Sequence, residues 1–212
     1  MPTSFTNTER WRRLVTVAAD EDEKARIIAT TLANSPIVKQ MEIVSRVVLR
    51  VLAVRASDGK LVHNVKLLTV EHPDPLHEIN TYASPTPAIS RGRLLCHFGN
   101  LGTVCMDTES LQTLWTKRFP HDHSVGPGSS PLVYDGLAII PCDGTDVQFV
   151  VALDLETGKE VWRTRRPPLS GEPGDMHKAF STPLLVSTRS GDQVVIPCAQ
   201  WIVSYDPRNG NP

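Results

Sequence analysis

Residues 152–162 read ALDLETGKEVW, a strand, a tight turn and a returning strand that ends on a tryptophan. Three positions carry the reading. Asp154 closes the first strand, where its carboxylate can accept N–H groups from the turn that follows. Gly158, after Thr157, supplies the positive φ that such a turn requires at little steric cost. Trp162 returns on the outer strand. Its ring is large enough to fill space against a neighbouring layer, and its indole N–H needs an acceptor when buried.

The phrase recurs. CMDTESLQTLW at 105–115 repeats it through Asp107 and Trp115, and VSYDPRNG at 203–210 repeats it through Asp206 and Gly210. A further copy, AVRASDGK at 53–60, has Arg55 in the Asp position and His63 in the Trp position. The second copy has Ser110-Leu111 in place of Thr-Gly. The steps are 52 residues from Arg55 to Asp107, 47 to Asp154 and 52 to Asp206. Pro87, Pro131 and Pro183 keep step with them, each opening a strand in TPAI, SPLV and TPLL. A period near fifty residues with several short strands per unit predicts propeller blades, radially arranged four-stranded sheets. The middle unit predicts strands at 131–134, 137–141, 147–154 and 159–163. Within the third, FVVAL is apolar without alternation, as in a strand buried on both faces.

The expected fold is therefore all-β: an incomplete β-propeller of about three four-stranded blades, with a short α-helical N-terminal segment. Residues 1–46 form that segment and 47–212 the repeats. The repeats divide into a partial blade at 47–68, blades at 84–117 and 129–164, and a truncated blade at 181–212. In the first segment Trp11, Leu14, Val15 and Ala18 follow helical spacing. Asp20 and Glu23 make a capping-box pattern before the stripe Ala25, Ile28, Leu32, which Asn34-Ser35-Pro36 stops.

Composition narrows the function. A net charge of -1 and a pI near 6.6 offer no basic excess for nucleic acid. No apolar run approaches the roughly 20 residues of a membrane span. Leu14 to Ala19 is too short for the apolar region of a signal peptide, so the chain as given reads as cytoplasmic. The four cysteines form no CxxC, which argues against a zinc ribbon. LLCHFGNLGTVCM reads as a hairpin turning at Asn100-Leu101, with Cys96 facing Cys105. Two buried free thiols are the favoured reading of that pair, and a cross-strand disulfide is the alternative.

Two metal sites are candidates. Asp143 and Asp146, three apart in CDGTDVQ, are oxygen ligands suited to calcium, although Asp-Gly is also a common hairpin turn. His121 and His123 in PHDHS would face one way in an extended segment and suit zinc or copper, against a plainer reading as polar loop histidines. GPGSSP at 126–131 lacks the Lys-Ser/Thr ending of a phosphate loop. Ser129, Ser130 and Ser181 precede strand openings and read as structural, and His97 as a strand histidine packed in the sheet. No catalytic set is argued from spacing.

These residues resemble the pyrroloquinoline-quinone (PQQ)-like β-propeller repeat, whose blades carry AxDxxTGxxxW. NTYASPTP, CHFGNLGTVCMD, GPGSSPLVYD, CDGTDVQFVVALD and KAFSTPLL are similar to its BamB-like bacterial group of outer-membrane protein assembly factors. The resemblance covers about residues 47–210. It implies seven or eight blades in a closed ring, of which this chain holds a part. Truncation is the favoured account, beside a fragment or a chain that assembles with others through open blade edges. Fold does not fix activity. Quinoprotein dehydrogenases of this fold need a tryptophan floor, calcium ligands, a catalytic Asp and often adjacent cysteines, and no Cys-Cys occurs here. The expectation is a non-enzymatic scaffold or binding protein without cofactor, whose partners are protein or other blades. The alternative is the remnant of a PQQ-dependent oxidoreductase that holds the quinone with calcium. Full-length relatives are expected to be exported to the periplasm or cell envelope.

Overall fold

The computed structural model describes residues 41–42, 44–123, 125–172 and 174–212. The helices expected before Pro36 lie outside them. The described chain is a row of small antiparallel sheets. A two-residue strand β1 (Met41–Glu42) leads to a long hairpin, β2 (Arg46–Val54) and β3 (Leu61–Glu71), and β4 (Leu76–His77) turns back to pair with β1. The first four-stranded blade is β5 (Ala88–Ser90), β6 (Arg93–His97), β7 (Thr103–Asp107) and β8 (Thr113–Lys117). The second is β9 (Leu132–Tyr134), β10 (Leu137–Asp143), β11 (Gln148–Asp154) and β12 (Glu160–Arg165). A three-stranded sheet follows, β13 (Leu184–Thr188), β14 (Gly191–Pro197) and β15 (Ile202–Tyr205). Apart from the short β1–β4 pair, each sheet is paired in chain order, the meander of a propeller blade.

The sheets stack face to face. On β10 and β11, Ala138, Ile140, Cys142, Val151 and Leu153 pack against Leu95, Cys105, Trp115 and Phe119 of the preceding blade. Their sequence neighbours Ile139, Val150 and Ala152 point the other way, onto Val194, Ile196 and Tyr205. Successive strand side chains face opposite sides of a sheet. A strand sandwiched between two blades therefore needs apolar residues at every position. This accounts for FVVAL, which is buried throughout. On the other side, Leu49, Val51 and Val65 of the hairpin pack on Leu94, Cys96, Val104 and Met106. The far face of the last sheet leaves Leu184 63% and Ile202 75% exposed.

One register differs from expectation. The β6–β7 hairpin pairs Cys96 with Val104 and Leu95 with Cys105. Its loop has five residues, 98–102, centred on Asn100 around a 3₁₀ turn at Gly99–Leu101, whereas a turn at Asn100-Leu101 would hold an even number. A shift of one residue moves a side chain to the opposite face. Cys105 thus packs toward the second blade and Cys96 toward the first hairpin, and both thiols are free.

Candidate functional site

The repeated phrase folds the same way four times. In each copy the Asp-position N–H donates to the carbonyl five residues on. The residue four places on donates back to its carbonyl, for example Asp154 N to Lys159 O and Gly158 N to Asp154 O, both 2.8 Å. The same pair closes the turns at Arg55, Asp107 and Asp206. The fourth residue is left-handed each time, with φ of 71° at Gly59, 58° at Leu111, 67° at Gly158 and 72° at Gly210. The side chain at the first position then fastens the turn. Asp154 Oδ1 accepts from Thr157 N at 2.8 Å and Thr157 Oγ1 at 2.6 Å. Asp107 does the same with Ser110, and Asp206 accepts from Asn209 Nδ2. In the first copy the polarity is reversed: Arg55 Nη1 donates to Asp58 at 2.9 Å.

The tryptophans join one blade to the next. Trp115 Nε1 donates to Leu155 O at 2.9 Å, and Trp162 Nε1 donates to Pro207 O at 2.9 Å. Leu155 and Pro207 each follow the turn aspartate of the next blade. A Cβ on Gly158 would lie 2.6 Å from the Trp115 ring, and one on Gly210 2.4 Å from Trp162. Glycine is therefore required twice, for φ and for the ring that lies on it. Arg93 adds a second tie, bridging Asp107 of its own blade at 2.5 Å and Glu156 of the next at 2.7 Å.

The two departures seen in the sequence face the same groove. His63 replaces the tryptophan of the first hairpin, opposite Ala53 as Trp115 is opposite Cys105. Leu111 replaces the glycine of the next turn, on which that tryptophan would have lain. Both residues line a groove of about 510 Å³ between the hairpin and the first blade, with Val51, Ile89, Leu94 and Met106.

The opposite end of the sheets holds a buried polar seam. Arg166 donates through Nε and Nη2 to both oxygens of Asp143, at 2.9 and 2.6 Å, and both side chains are 2% exposed or less. Nη1 of Arg166 reaches Tyr205 Oη at 3.2 Å, which ties the second blade to the last sheet. Burial pushes the Asp143 carboxyl up while the bonds and charge of Arg166 pull it down. For Arg166, burial acts to lower its value, but Asp143 outweighs this and holds it raised. Charge-assisted bidentate bonds are strong, and removing one partner leaves a buried charge alone. Asp146, by contrast, is exposed and turns its Oδ1 to Asp122 N and Val147 N. The structure does not bring Asp143 and Asp146 together as ligands.

His121 and His123 are brought together. They are 4% and 5% exposed, so they are core residues and not polar loop histidines. Their Nε2 atoms lie 2.6 Å apart, and His121 Nδ1 lies 2.5 Å from Phe119 O. A carbonyl only accepts, so His121 carries its proton on Nδ1 and accepts from His123 Nε2–H. That leaves the His123 Nδ1 lone pair buried without a partner. The His123 ring stacks on Phe180 at 5.6 Å. His97, fully enclosed beside them, bonds Thr103 Oγ1 at 2.8 Å. Burial, then the neighbouring histidine charges, lowers His97 to about 3 and His123 to about 2. Burial also lowers His121, against the pull of Phe119 O and of Asp146, Asp143 and Asp122. The three imidazoles are neutral donors and acceptors that pin loops between blades. No group of three His, Cys, Asp or Glu side chains suited to a metal occurs among the described residues.

Sequence reasoning missed Arg166 and Thr103. RTRRPP contains three arginines, and nothing local marks which one turns inward. Thr103 is visible only once the hairpin register is known, opposite His97.

The solved structures similar to this chain include a quinohemoprotein alcohol dehydrogenase from Comamonas testosteroni, at 14% identity and TM-score 0.52 over 81% of this chain and 32% of that one. Quinohemoprotein alcohol dehydrogenase ADHIIG from Pseudomonas putida HK5 gives 17% and 0.51 over the same shares, 81% and 32%. BamB from Moraxella catarrhalis gives 15% and 0.47, over 81% of this chain and 50% of that one. At such identities the likeness to the two dehydrogenases concerns the fold, and the chain spans about a third of their length. No curated protein sequence matches the chain. No helix among the described residues is long and apolar enough to cross a membrane. A family model described as outer membrane protein assembly factor BamB matches residues 8–164 and again 50–212, and the chain belongs to that PQQ-like repeat family.

Proposed function

We propose that the chain is a non-catalytic propeller-repeat module, a scaffold or binding protein of the cell envelope whose partner is another protein. One observation carries this reading: the acidic and aromatic side chains that mark the repeat are engaged in closing turns and joining blades. Asp107 and Asp154 cap turns, Trp115 and Trp162 reach the next blade, and Asp143 is held at both oxygens by Arg166. A calcium-held quinone needs free carboxylates and an open indole face. Asp107, Asp154, Asp143, Trp115 and Trp162 already have partners, which supports a reading without that cofactor. Leu184 and Ile202 on the last sheet, with Trp201 in the β14–β15 connection, supply exposed apolar surface of the kind that protein contacts bury.

The test is thermal unfolding with PQQ and calcium. A bound ligand at a hundred times its Kd stabilises by about 2.7 kcal/mol, and each kcal/mol raises Tm by roughly 2–4 °C at this size. The expected shift is none, with no quinone spectral change. A saturable rise in Tm with alcohol oxidation would overturn the proposal in favour of a dehydrogenase.

A further inference from the structure

His121 and His123 lie in the connection that carries the chain from the first blade to the second. Gly99 of the β6–β7 loop and Phe180 of the connection to the last sheet pack against the His123 ring. As a hydrogen-bonded pair the two histidines are incompletely satisfied, because His123 Nδ1 is buried and has no partner. A buried polar atom left over in a native fold calls for an explanation, and a bound ion is one.

The pair already has the form of a metal site. His121 donates its Nδ1–H to Phe119 O, the outer-sphere bond that orients a ligating histidine and leaves Nε2 free. His123 brings its own Nε2 to the same point, 2.6 Å away. To ligate through Nε2, His123 must carry its proton on Nδ1 instead. No donor faces that nitrogen, so nothing in the fold opposes the tautomer. The proton moves within the ring and none is released. A Cβ on Gly99 would lie 3.3 Å from His123 Cδ2 and 3.5 Å from Nε2, so the missing side chain leaves that edge of the ring uncrowded.

The donor set selects the ion. No third His, Cys, Asp or Glu joins the pair among the described residues. Zinc takes four ligands and calcium six or more oxygens. Asp143 is held by Arg166, and Asp146 accepts from backbone N–H groups. Imidazole nitrogen suits copper, and copper(I) is stable with two ligands in line. Its single charge costs about a quarter of what a divalent ion costs to bury, since the Born energy grows with the square of the charge. Asp146, Asp143 and Asp122 supply negative potential at His121, against Lys178 on the His123 side.

We propose that His121 and His123 bind one copper(I) ion through their Nε2 atoms, in the connection between the first and second blades. At about 2.0 Å per bond a linear ion sets the two nitrogens about 4 Å apart, so the rings part by about 1.4 Å as it enters.

The probe is copper(I) itself, added without oxygen to the purified full chain in competition with the colorimetric chelator bicinchoninate. The chain is expected to withdraw one ion from the chelator. His121→Phe and His123→Phe are each expected to weaken binding more than 100-fold, beyond the roughly 10–100-fold lost with an outer-sphere partner. Cys198→Ser removes the one cysteine that is not buried and is expected to bind as the natural chain does. X-ray absorption at the copper edge is expected to show two nitrogen neighbours and no sulfur. Failure to compete with the chelator would overturn the proposal, as would undiminished binding in the histidine variants, loss of binding in Cys198→Ser, or sulfur beside the metal. Zinc(II) held as tightly as copper(I) would overturn the two-coordinate assignment. Should both histidine variants fail to fold, competition and X-ray absorption on the natural chain decide.

Discussion

His97, His121 and His123 make the molecule sensitive to acid at the scale of single residues. Their ordinary value is 6.5, and burial holds His97 near 3 and His123 near 2. The unfolded chain takes up protons below pH 6.5 that the folded chain refuses. Stability from these groups is therefore complete above pH 6.5 and is lost as the pH falls toward 3. Each such histidine contributes a slope of about 1.4 kcal/mol per pH unit in that window. Urea unfolding between pH 4.5 and 8 should show the decline, and His97→Gln should make it shallower by about that amount. An unchanged slope in the variant would remove His97 from the account. Glycine offers a second test. Gly158→Ala places a methyl 2.6 Å from Trp115 at φ 67°, whereas Gly59→Ala meets nothing within 4 Å at φ 71°. The backbone cost of about 1–2 kcal/mol is common to both. Only Gly158→Ala should lose more, measured as a larger drop in Tm. The residues of the turn were legible because the chemistry is local: carboxylate, N–H and glycine lie within five positions. The histidines were not. Spacing of two predicts a shared direction, but whether that direction is solvent or core depends on Phe180, 57 positions further on.

At the scale of elements, hairpins are built alike and joined unequally. Two junctions have a tryptophan lying on a glycine, and the first has His63 and Leu111 instead. By analogy with those two junctions, the pair reads as one compensated change: a tryptophan at 63 is expected to crowd the Leu111 side chain, and a glycine at 111 to lie under no ring. His63→Trp alone should lower stability or leave it unchanged, and Leu111→Gly alone should lower it by opening the groove further. The double variant should recover more than the singles predict, with a coupling of about 1–3 kcal/mol in a denaturant double-mutant cycle. Additive losses would mean that the two positions do not communicate. The sequence showed both departures but not that they face one groove, since the packing that brings His63 and Leu111 to it is set between sheets. The Cys96 hairpin failed for a related reason. Gly99 at φ 59° and Gly102 at φ 145° let the loop hold five residues, and a turn centred on two could not be told from it by composition.

The whole molecule is a stack in which each sheet depends on its neighbours. Its order was legible from the fifty-residue step, because the period needs no knowledge of contacts. Nearest-neighbour architectures distribute stability along the stack. Ile196, buried between the last two sheets, provides the test. Ile196→Ala should cost about 2–5 kcal/mol. Hydrogen exchange should show the loss in β13–β15 before β6–β8. Uniform loss across all sheets would mean one indivisible cooperative unit. The cysteines give this arrangement a built-in readout. Cys96 and Cys105 belong to one blade, Cys142 to the next and Cys198 follows β14 of the last sheet. Burial raises the first two thiols to about 11 and raises Cys142 as well, so an alkylating reagent at neutral pH finds little thiolate while the sheets are closed. A brief pulse of such a reagent, read by mass at Cys96, Cys105 and Cys142, would tag whichever of the two complete blades has opened and leave the closed one unmarked, while the half-buried Cys198 reports only on its own loop.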